Sequence, residues 1–248
     1  MVLGKSKGGY RMNINMNPNG ELVQSAVNAP GVVEIPDSLR NEAKQFRELM
    51  MMYTCAIREV KTKLEVLNDD LAVRNERNPI QMIKSRVKRP SSIIKKLERR
   101  GHPITVDSIK ENLDDVAGIR VICSFVDDIY AVVNMLAHQD DVNVLMVKDY
   151  IRSPKVNGYR SYHMIVEIPV HFSDRKTKMR VEVQIRTIAM DFWASLDHQM
   201  KYKKDLDDMD EISEELTECA EIIAQIDQRM QIIRQKIEDK ENPMSPYR

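Results

Sequence analysis

The sequence predicts an α+β fold in which a mixed β-sheet is flanked by helices and a long amphipathic helix lies near each end. Two observations carry this prediction. Apolar residues recur at alternating spacings of four and three near both ends, and the middle contains short segments rich in β-branched residues. Central strands with helices before, between and after them are typical of a sheet covered by helices.

The predicted N-terminal helix begins at Asp37, a residue that can cap a helix, and its apolar positions run from Leu39 to Leu71. The predicted C-terminal helix has the same heptad rhythm. Its apolar seam consists of Ile212, Leu216, Cys219, Ile223, Ile226, Met230, Ile233 and Ile237. Each seam either packs on the sheet of its own subunit or is shared between subunits. Seams of this length exceed what one small sheet covers, so we expect a homo-oligomer.

Strands are predicted over residues 119–125, 142–147, 163–169 and 180–186. Further helices are predicted over residues 92–100, 127–138 and 187–202, the first of them stopped by Gly101 and Pro103. Residues 1–36 contain Gly, Asn and Pro without sustained periodicity, which predicts a flexible arm. The expected organisation is therefore an arm at 1–36, a domain at 37–203, and a C-terminal oligomerisation helix with its tail at 204–248.

Composition excludes several classes of protein. Lys+Arg and Asp+Glu balance at 38 each, so the protein has no net charge that would attract it to an anionic membrane or to a stable nucleic-acid partner. No apolar run approaches the roughly 20 residues of a membrane helix, and the first residues lack the apolar core of a secretory signal. The three cysteines are far apart in apolar patterns, as expected for reduced thiols. We expect a cytoplasmic protein with no membrane association.

The segment 180–186 (RVEVQIR) alternates apolar and polar residues. Period two places Glu182 and Gln184 on one face with Arg180 and Arg186. This face is either the solvated side of an ordinary strand or the floor of a site for a charged ligand. Asp115 is a second candidate site residue and lies just before an Ala-Gly pair at the start of a predicted strand. It is either a helix-capping and ion-pairing residue or a ligand for a hard cation.

Two other segments carry cations. The basic run between Lys84 and Arg100 includes Lys88, Ser92, Lys96 and Arg99 at helical spacing, which is typical of a solvated face or of a cationic helix end that binds polyphosphate. Residues 155–163 (KVNGYRSYH) combine an Asn-Gly turn with an aromatic, a cation and a histidine. This turn is either a hairpin with a packing tyrosine or a device for base stacking.

Taken in order, these motifs resemble the synthetase domain of RelA/SpoT-type alarmone synthetases. The resemblance covers about residues 38–240. It rests on the motifs Arg86-Val-Lys88 with Ser92-Ile and Lys96, Asp115-Val-Ala-Gly-Ile-Arg120, Asn157-Gly-Tyr159-Arg-Ser-Tyr-His163, Glu182-Val-Gln184-Ile-Arg186-Thr187, and Phe192-Trp193-Ala194 with His198. It implies a nucleotidyltransferase-like fold and a (p)ppGpp synthetase, which transfers the pyrophosphate of ATP to the ribose 3′-hydroxyl of GDP or GTP, with GMP as a further candidate acceptor.

The resemblance also assigns roles to residues. ATP phosphates are held by Arg86, Lys88, Lys96 and Arg120, with Ser92 and Arg99 in support. Asp115 and Glu182 bind Mg²⁺ and form the catalytic pair, and Glu182 is the better candidate base. The guanine nucleotide is held by Lys148, Lys155, Asn157, Tyr159, His163 and Gln184, with Tyr159 stacking on the base.

Other parts of the resemblance concern assembly and regulation. Small members of the family assemble as homotetramers, so we expect a tetramer. The residues before Arg86 form a heptad helix and contain no histidine, which predicts no hydrolase activity. Met82 and Ser85 depart from the product-binding pattern of some relatives, which leaves product activation open. The alternatives are a toxin-type enzyme that pyrophosphorylates the 3′ end of tRNA, and a non-enzymatic RNA-binding or scaffold protein.

Overall fold

A mixed five-stranded sheet forms the centre of the computed structural model, which describes residues 15–16, 22–23, 37–75, 77–201 and 209–241. The strands are β1 (Asn15–Met16), β2 (Leu22–Val23), β3 (Ile80–Val87), β4 (Ala117–Cys123), β5 (Asn143–Asp149), β6 (Tyr162–His171) and β7 (Lys176–Thr187). β1 and β2 pair only with each other. The central sheet has the order β3-β4-β7-β6-β5; β4 and β7 are parallel and all other neighbours are antiparallel.

Helices precede, separate and follow these strands, so the predicted α+β class is confirmed. They are α1 (Asp37–Asn75), α2 (Pro90–Arg100), α3 (Val106–Asn112), α4 (Val126–Ala137), α5 (Ile188–Lys201) and α6 (Met209–Glu241). α2 starts on a proline and ends at Gly101, which has a left-handed φ of 71° and donates its N–H to the carbonyl of Glu98. No helix in the described part of the chain combines the length and apolar character needed to cross a membrane.

The apolar side chains of the sheet form one continuous core with those of α1 to α4. The seam of α1 contributes Tyr53, Ile57, Val60 and Leu64, all buried, so its central part packs within its own subunit. A smaller cluster joins α5 to α6 and contains Trp193, whose indole N–H donates to the carbonyl of Leu216 at 2.8 Å. Ile212, Leu216 and Ile223 of the α6 seam are therefore also covered internally, whereas Cys219 is exposed.

The second half of the α6 seam is not covered. Ile226 is 53% exposed, and Met230, Ile233 and Ile237 are exposed to a similar degree. The two seams predicted from the same heptad pattern thus differ in burial. The α1 seam packs into the core, whereas the α6 seam is partly buried and partly exposed.

Two segments between residues 77 and 201 were not predicted from the sequence. β3 is an edge strand with mostly exposed side chains, and α3 is only 7 residues long, with the Thr105 hydroxyl accepting from the N–H of Ser108. The structure divides into two compact units, Met1–Asn41 and Glu42–Arg248, and all further description concerns the second. The predicted arm at 1–36 and the predicted boundary at 203 lie mostly outside the described residues.

Candidate active site

Two rows of side chains cross the face of the sheet that lies opposite the core. The first row spans all five strands in register and consists of Lys84, Arg120, Gln184, His163 and Lys148. The second row lies two residues further along and contains Arg86, Gly118 and Glu182. Because Gly118 has no side chain, the space between Arg86 and Glu182 stays open. The polar face predicted for residues 180–186 is therefore the middle of a larger polar floor.

Asp115 lies just before β4, where two lysines converge on it. Its Oδ2 accepts from Nζ of Lys88 at 2.5 Å and lies 2.6 Å from Nζ of Lys96. Burial opposes ionisation of Asp115, but the hydrogen bonds and charges of the two lysines outweigh it and hold the pKa of this carboxyl below its usual range. Its Oδ1 is buried and has no hydrogen-bond partner. Asp115 is thus an anion with one free oxygen.

Glu182 is the second carboxylate of the site and is held from both sides. Its Oε2 accepts from Nε2 of Gln184 at 2.9 Å, and its Oε1 lies 3.5 Å from Nδ1 of His163. Burial alone would raise the pKa of Glu182, but the hydrogen bonds from His163 and Gln184 hold it below that of an ordinary glutamate. Glu182 is therefore ionised and oriented.

Asp115 and Glu182 form the boundary between two cavities. One cavity of about 260 Å³ is lined on its other sides by Arg86, Arg120 and Gln184. The other, of about 450 Å³, is lined by Lys96, Lys148, Tyr150, Lys155 and His163. A carboxylate pair between two cationic cavities can act on a group that passes from one bound anion to another.

Tyr159 stands beside the second cavity in a cluster of rings and cations. Its hydroxyl lies 2.8 Å from Nε2 of His163 and accepts from a terminal nitrogen of Arg186 at 2.6 Å. The ammonium of Lys155 lies 4.7 Å from the centre of the Tyr159 ring and 4.8 Å from that of Tyr150. Tyr150 and Lys155 line the second cavity, and Tyr159 packs against both of them, so the three residues form a tyrosine wall at its side.

The loop that carries Tyr159 rests on α6. Gly158 has a φ of 76°, and a Cβ added to it would lie only 2.5 Å from that of Ala220. Arg160 donates to the carbonyl of Ala220 at 3.2 Å. The C-terminal helix therefore supports the loop that faces the second cavity.

The structure brings most of the predicted residues together. Arg86 and Arg120 line the first cavity, and Lys148, Lys155 and His163 line the second, while the predicted roles of these residues in nucleotide binding stay predictions. Two residues line the cavity opposite to the one expected: Lys96, assigned to ATP, lines the second cavity, and Gln184, assigned to the guanine nucleotide, lines the first. Asn157 shapes the turn, with its Oδ1 accepting from the N–H of Tyr159.

Ser92 and Arg99 are exposed on α2 and are not among the residues that line the two cavities. Their role in ATP binding stays a prediction.

Three further residues of the site had no predicted role. Arg186 is buried and donates to Ser161, Asp191 and Gln184 as well as to Tyr159. Asp191 also pairs with Arg120 at 3.3 Å. The alternation of residues 180–186 already placed Arg186 on the polar face, but its burial depends on α5. Tyr150 follows directly after β5, and nothing local distinguished it from a packing residue.

Comparison with known proteins decides the family. Residues 85–207 match the model of the region found in RelA/SpoT proteins. GTP pyrophosphokinase YwaC of Bacillus subtilis is 42% identical over 202 residues, which are 82% of this chain and 96% of the relative. The chain belongs to the RelA/SpoT family. Its matched region contains the carboxylate pair, the Tyr159 cluster and, apart from Lys84, the residues that line both cavities.

Solved structures of the family have the same fold. The crystal structure of small alarmone synthetase 2 from Bacillus subtilis is 43% identical, with a TM-score of 0.70 over 77% of this chain and 99% of that one. The structure of small alarmone synthetase 1 from the same organism, bound to its product pppGpp, is 34% identical, with a TM-score of 0.71 over 78% of this chain and 98% of that one. The predicted RelA/SpoT-type synthetase fold is thus confirmed.

Proposed function

We propose that this RelA/SpoT family protein is a (p)ppGpp synthetase, a GTP diphosphokinase that transfers the pyrophosphate of ATP to the ribose 3′-hydroxyl of GDP or GTP. The observation that carries the proposal is the placement of Asp115 and Glu182 between two cationic cavities. The relatives named above support it, since one is a GTP pyrophosphokinase and another was solved with pppGpp.

The first cavity suits ATP. Arg86 and Arg120 supply fixed positive charge there, and Lys88 lies next to it on Asp115. Pyrophosphoryl transfer requires in-line placement and neutralisation of the charge that develops on the transferred and leaving groups, with little covalent work from the protein. The second cavity suits the guanine nucleotide, with Lys148 and Lys155 for its phosphates and the tyrosine wall for its base.

The reaction forms one P–O bond and breaks another. Glu182 takes the proton of the 3′-hydroxyl, whose oxygen attacks the β-phosphorus of ATP. The bond between that phosphorus and the oxygen bridging it to the α-phosphate breaks, and this oxygen leaves with the electron pair as part of AMP. The low pKa of Glu182 keeps it in the ionised form that can accept the proton.

The residues present fit a magnesium ion. The unpartnered Oδ1 of Asp115 and the carboxylate of Glu182 are oxygen ligands, the kind that this ion prefers. No group of three His, Cys, Asp or Glu side chains forms a metal site within the described residues, but Mg²⁺ commonly takes one or two carboxylates and completes its shell with waters and phosphates. When bound, Mg²⁺ supplies neutralisation of charge on the phosphate oxygens.

The exposed second half of the α6 seam supports assembly with further copies of the chain. We propose a homo-oligomer, a tetramer as the resemblance implies, located in the cytoplasm where its nucleotide substrates are. Ile226→Asp should shift the protein toward smaller species in light scattering, because burying an aliphatic side chain contributes about 1.5–3 kcal/mol. Gln225→Asp, which adds the same charge at an exposed neighbouring position, is the control. A wild type that is monomeric at tens of micromolar would contradict assembly.

The experiment that tests the function supplies ATP labelled in its β-phosphate together with GMP, GDP, GTP or bulk tRNA. We expect label in the guanine nucleotides and AMP as the co-product. Label in tRNA alone would favour the toxin-type alternative, and no transfer with any acceptor would contradict the proposal.

A further inference from the structure

A continuous chain of side-chain contacts leads from buried Arg186 to Glu182. Arg186 donates to the Tyr159 hydroxyl at 2.6 Å, this hydroxyl lies 2.8 Å from Nε2 of His163, and Nδ1 of His163 lies 3.5 Å from Oε1 of Glu182. Arg186 is itself fixed, since it also donates to Ser161 at 3.3 Å. The chain starts at a buried, hydrogen-bonded cation and ends at the proposed base.

Counting donors and acceptors shows which arrangement of hydrogens gives every donor in this chain a partner. A guanidinium carries donors only, so the Tyr159 oxygen accepts from Arg186. The phenol has one proton to donate, and its other close partner is Nε2 of His163. Arg186 cannot accept, so the phenol hydrogen finds a partner within this chain only where Nε2 accepts it, and a neutral imidazole whose Nε2 accepts carries its hydrogen on Nδ1. That hydrogen points toward Glu182.

We propose that Tyr159 is a positioning residue for Glu182: its hydroxyl, held by Arg186, fixes His163 in the Nδ1–H form, and the ring then donates to the carboxylate. Gln184 donates to the other oxygen at 2.9 Å, so both oxygens of Glu182 are held. The inference rests on the proposed function in one respect, namely that Glu182 accepts the 3′-hydroxyl proton. It gives the tyrosine a role distinct from stacking on the guanine, because the hydroxyl acts and not the ring face.

Loss of the Tyr159 hydroxyl should change which nitrogen of His163 carries the hydrogen. A histidine side chain in water favours hydrogen on Nε2, and in that form Nδ1 presents a lone pair to the carboxylate. Repulsion between this lone pair and Oε1 would turn either the ring or Glu182 away. Tyr159→Phe should therefore lower kcat about tenfold, the effect of one lost hydrogen bond to a charged group. The KM for ATP should not change, and the KM for the acceptor should change little because the ring face remains.

The test records the nitrogen spectrum of ¹⁵N-labelled histidine in the full-length protein, with the His163 signals assigned by their loss in His163→Asn. We expect hydrogen on Nδ1 in the wild type and on Nε2 in Tyr159→Phe. Tyr162→Phe is the matched control, because Tyr162 is next to His163 on β6 but packs edge-on against Tyr130. It should keep both the Nδ1–H form and the wild-type kcat.

Two results would overturn the inference. One is a wild-type His163 that does not carry its hydrogen on Nδ1 alone, and the other is a Tyr159→Phe enzyme with wild-type kcat. The spectra do not depend on activity. If the wild type transfers no pyrophosphate, the proposed function fails, while the state of His163 still decides whether this chain of hydrogen bonds exists.

Discussion

Glu182→Gln tests the proposed base most sharply because it keeps the shape of the side chain and removes its charge. Gln184 and His163 hold the carboxylate on the polar face of the sheet, and an amide keeps an oxygen that can accept from one of them. We therefore expect unfolding free energy to change by less than about 1 kcal/mol, which moves Tm by about 2–4 °C in a chain of this size.

The expected kinetic loss is much larger. General base catalysis contributes about 10²–10⁴-fold, so kcat should fall at least about a hundredfold, or about 2.7 kcal/mol of transition-state stabilisation. The assay is steady-state formation of AMP and pyrophosphorylated guanine nucleotide at saturating Mg-ATP.

Glu167→Gln is the matched control for this variant. Glu167 lies on β6, and its side chain is 20% exposed, as is that of Glu182, but it pairs with Lys178 and lines neither cavity of the site. It should keep near-normal kcat. A Glu182→Gln enzyme within threefold of the wild-type rate would refute the assignment, as would an equal loss in Glu167→Gln.

Two further predictions concern a buried acid and the tyrosine wall. Burial raises the pKa of Asp227, and the hydrogen bond from Thr187 offsets only part of this effect, so wild-type stability should fall as pH rises from the ordinary carboxyl range to the raised pKa and then level off. Asp227→Asn should be more stable than wild type at neutral pH and equal to it in acid, as measured by urea unfolding; an unchanged difference across pH would contradict this. Tyr150→Leu should raise the acceptor KM about tenfold, since stacking contributes roughly 1–3 kcal/mol per base, and leave the ATP KM intact. An equal rise in both KM values would place Tyr150 outside the acceptor site.

Periodicity predicted the elements that are long or that alternate cleanly. α1 and α6 have sustained heptad seams, and β7 alternates polar and apolar residues over the stretch that carries Glu182. β3 was missed because an irregularity between Ile80 and Met82 breaks the alternation of its side chains, and few of them are buried. α3 was missed because two turns are too short to show a helical period.

Site residues could be predicted from the sequence where a single local motif contains them. Contacts between segments that are distant in the sequence could not. Glu182 and Gln184 were assigned to one face from local alternation. The hydrogen bond between Tyr159 and Arg186 joins residues 27 positions apart, and it depends on how β6 and β7 pair. The contact of Gly158 with Ala220 depends in the same way on where α6 packs, which the heptad pattern does not specify.

The central claim is that this protein transfers the pyrophosphate of ATP to the 3′-oxygen of a guanine nucleotide. Its most direct test is mass spectrometry and phosphorus NMR of the products formed by purified protein from Mg-ATP and GDP. The account predicts AMP and, in equal amount, a guanosine bearing pyrophosphate at both the 5′ and 3′ positions. Turnover of ATP that leaves GDP unmodified would contradict the account.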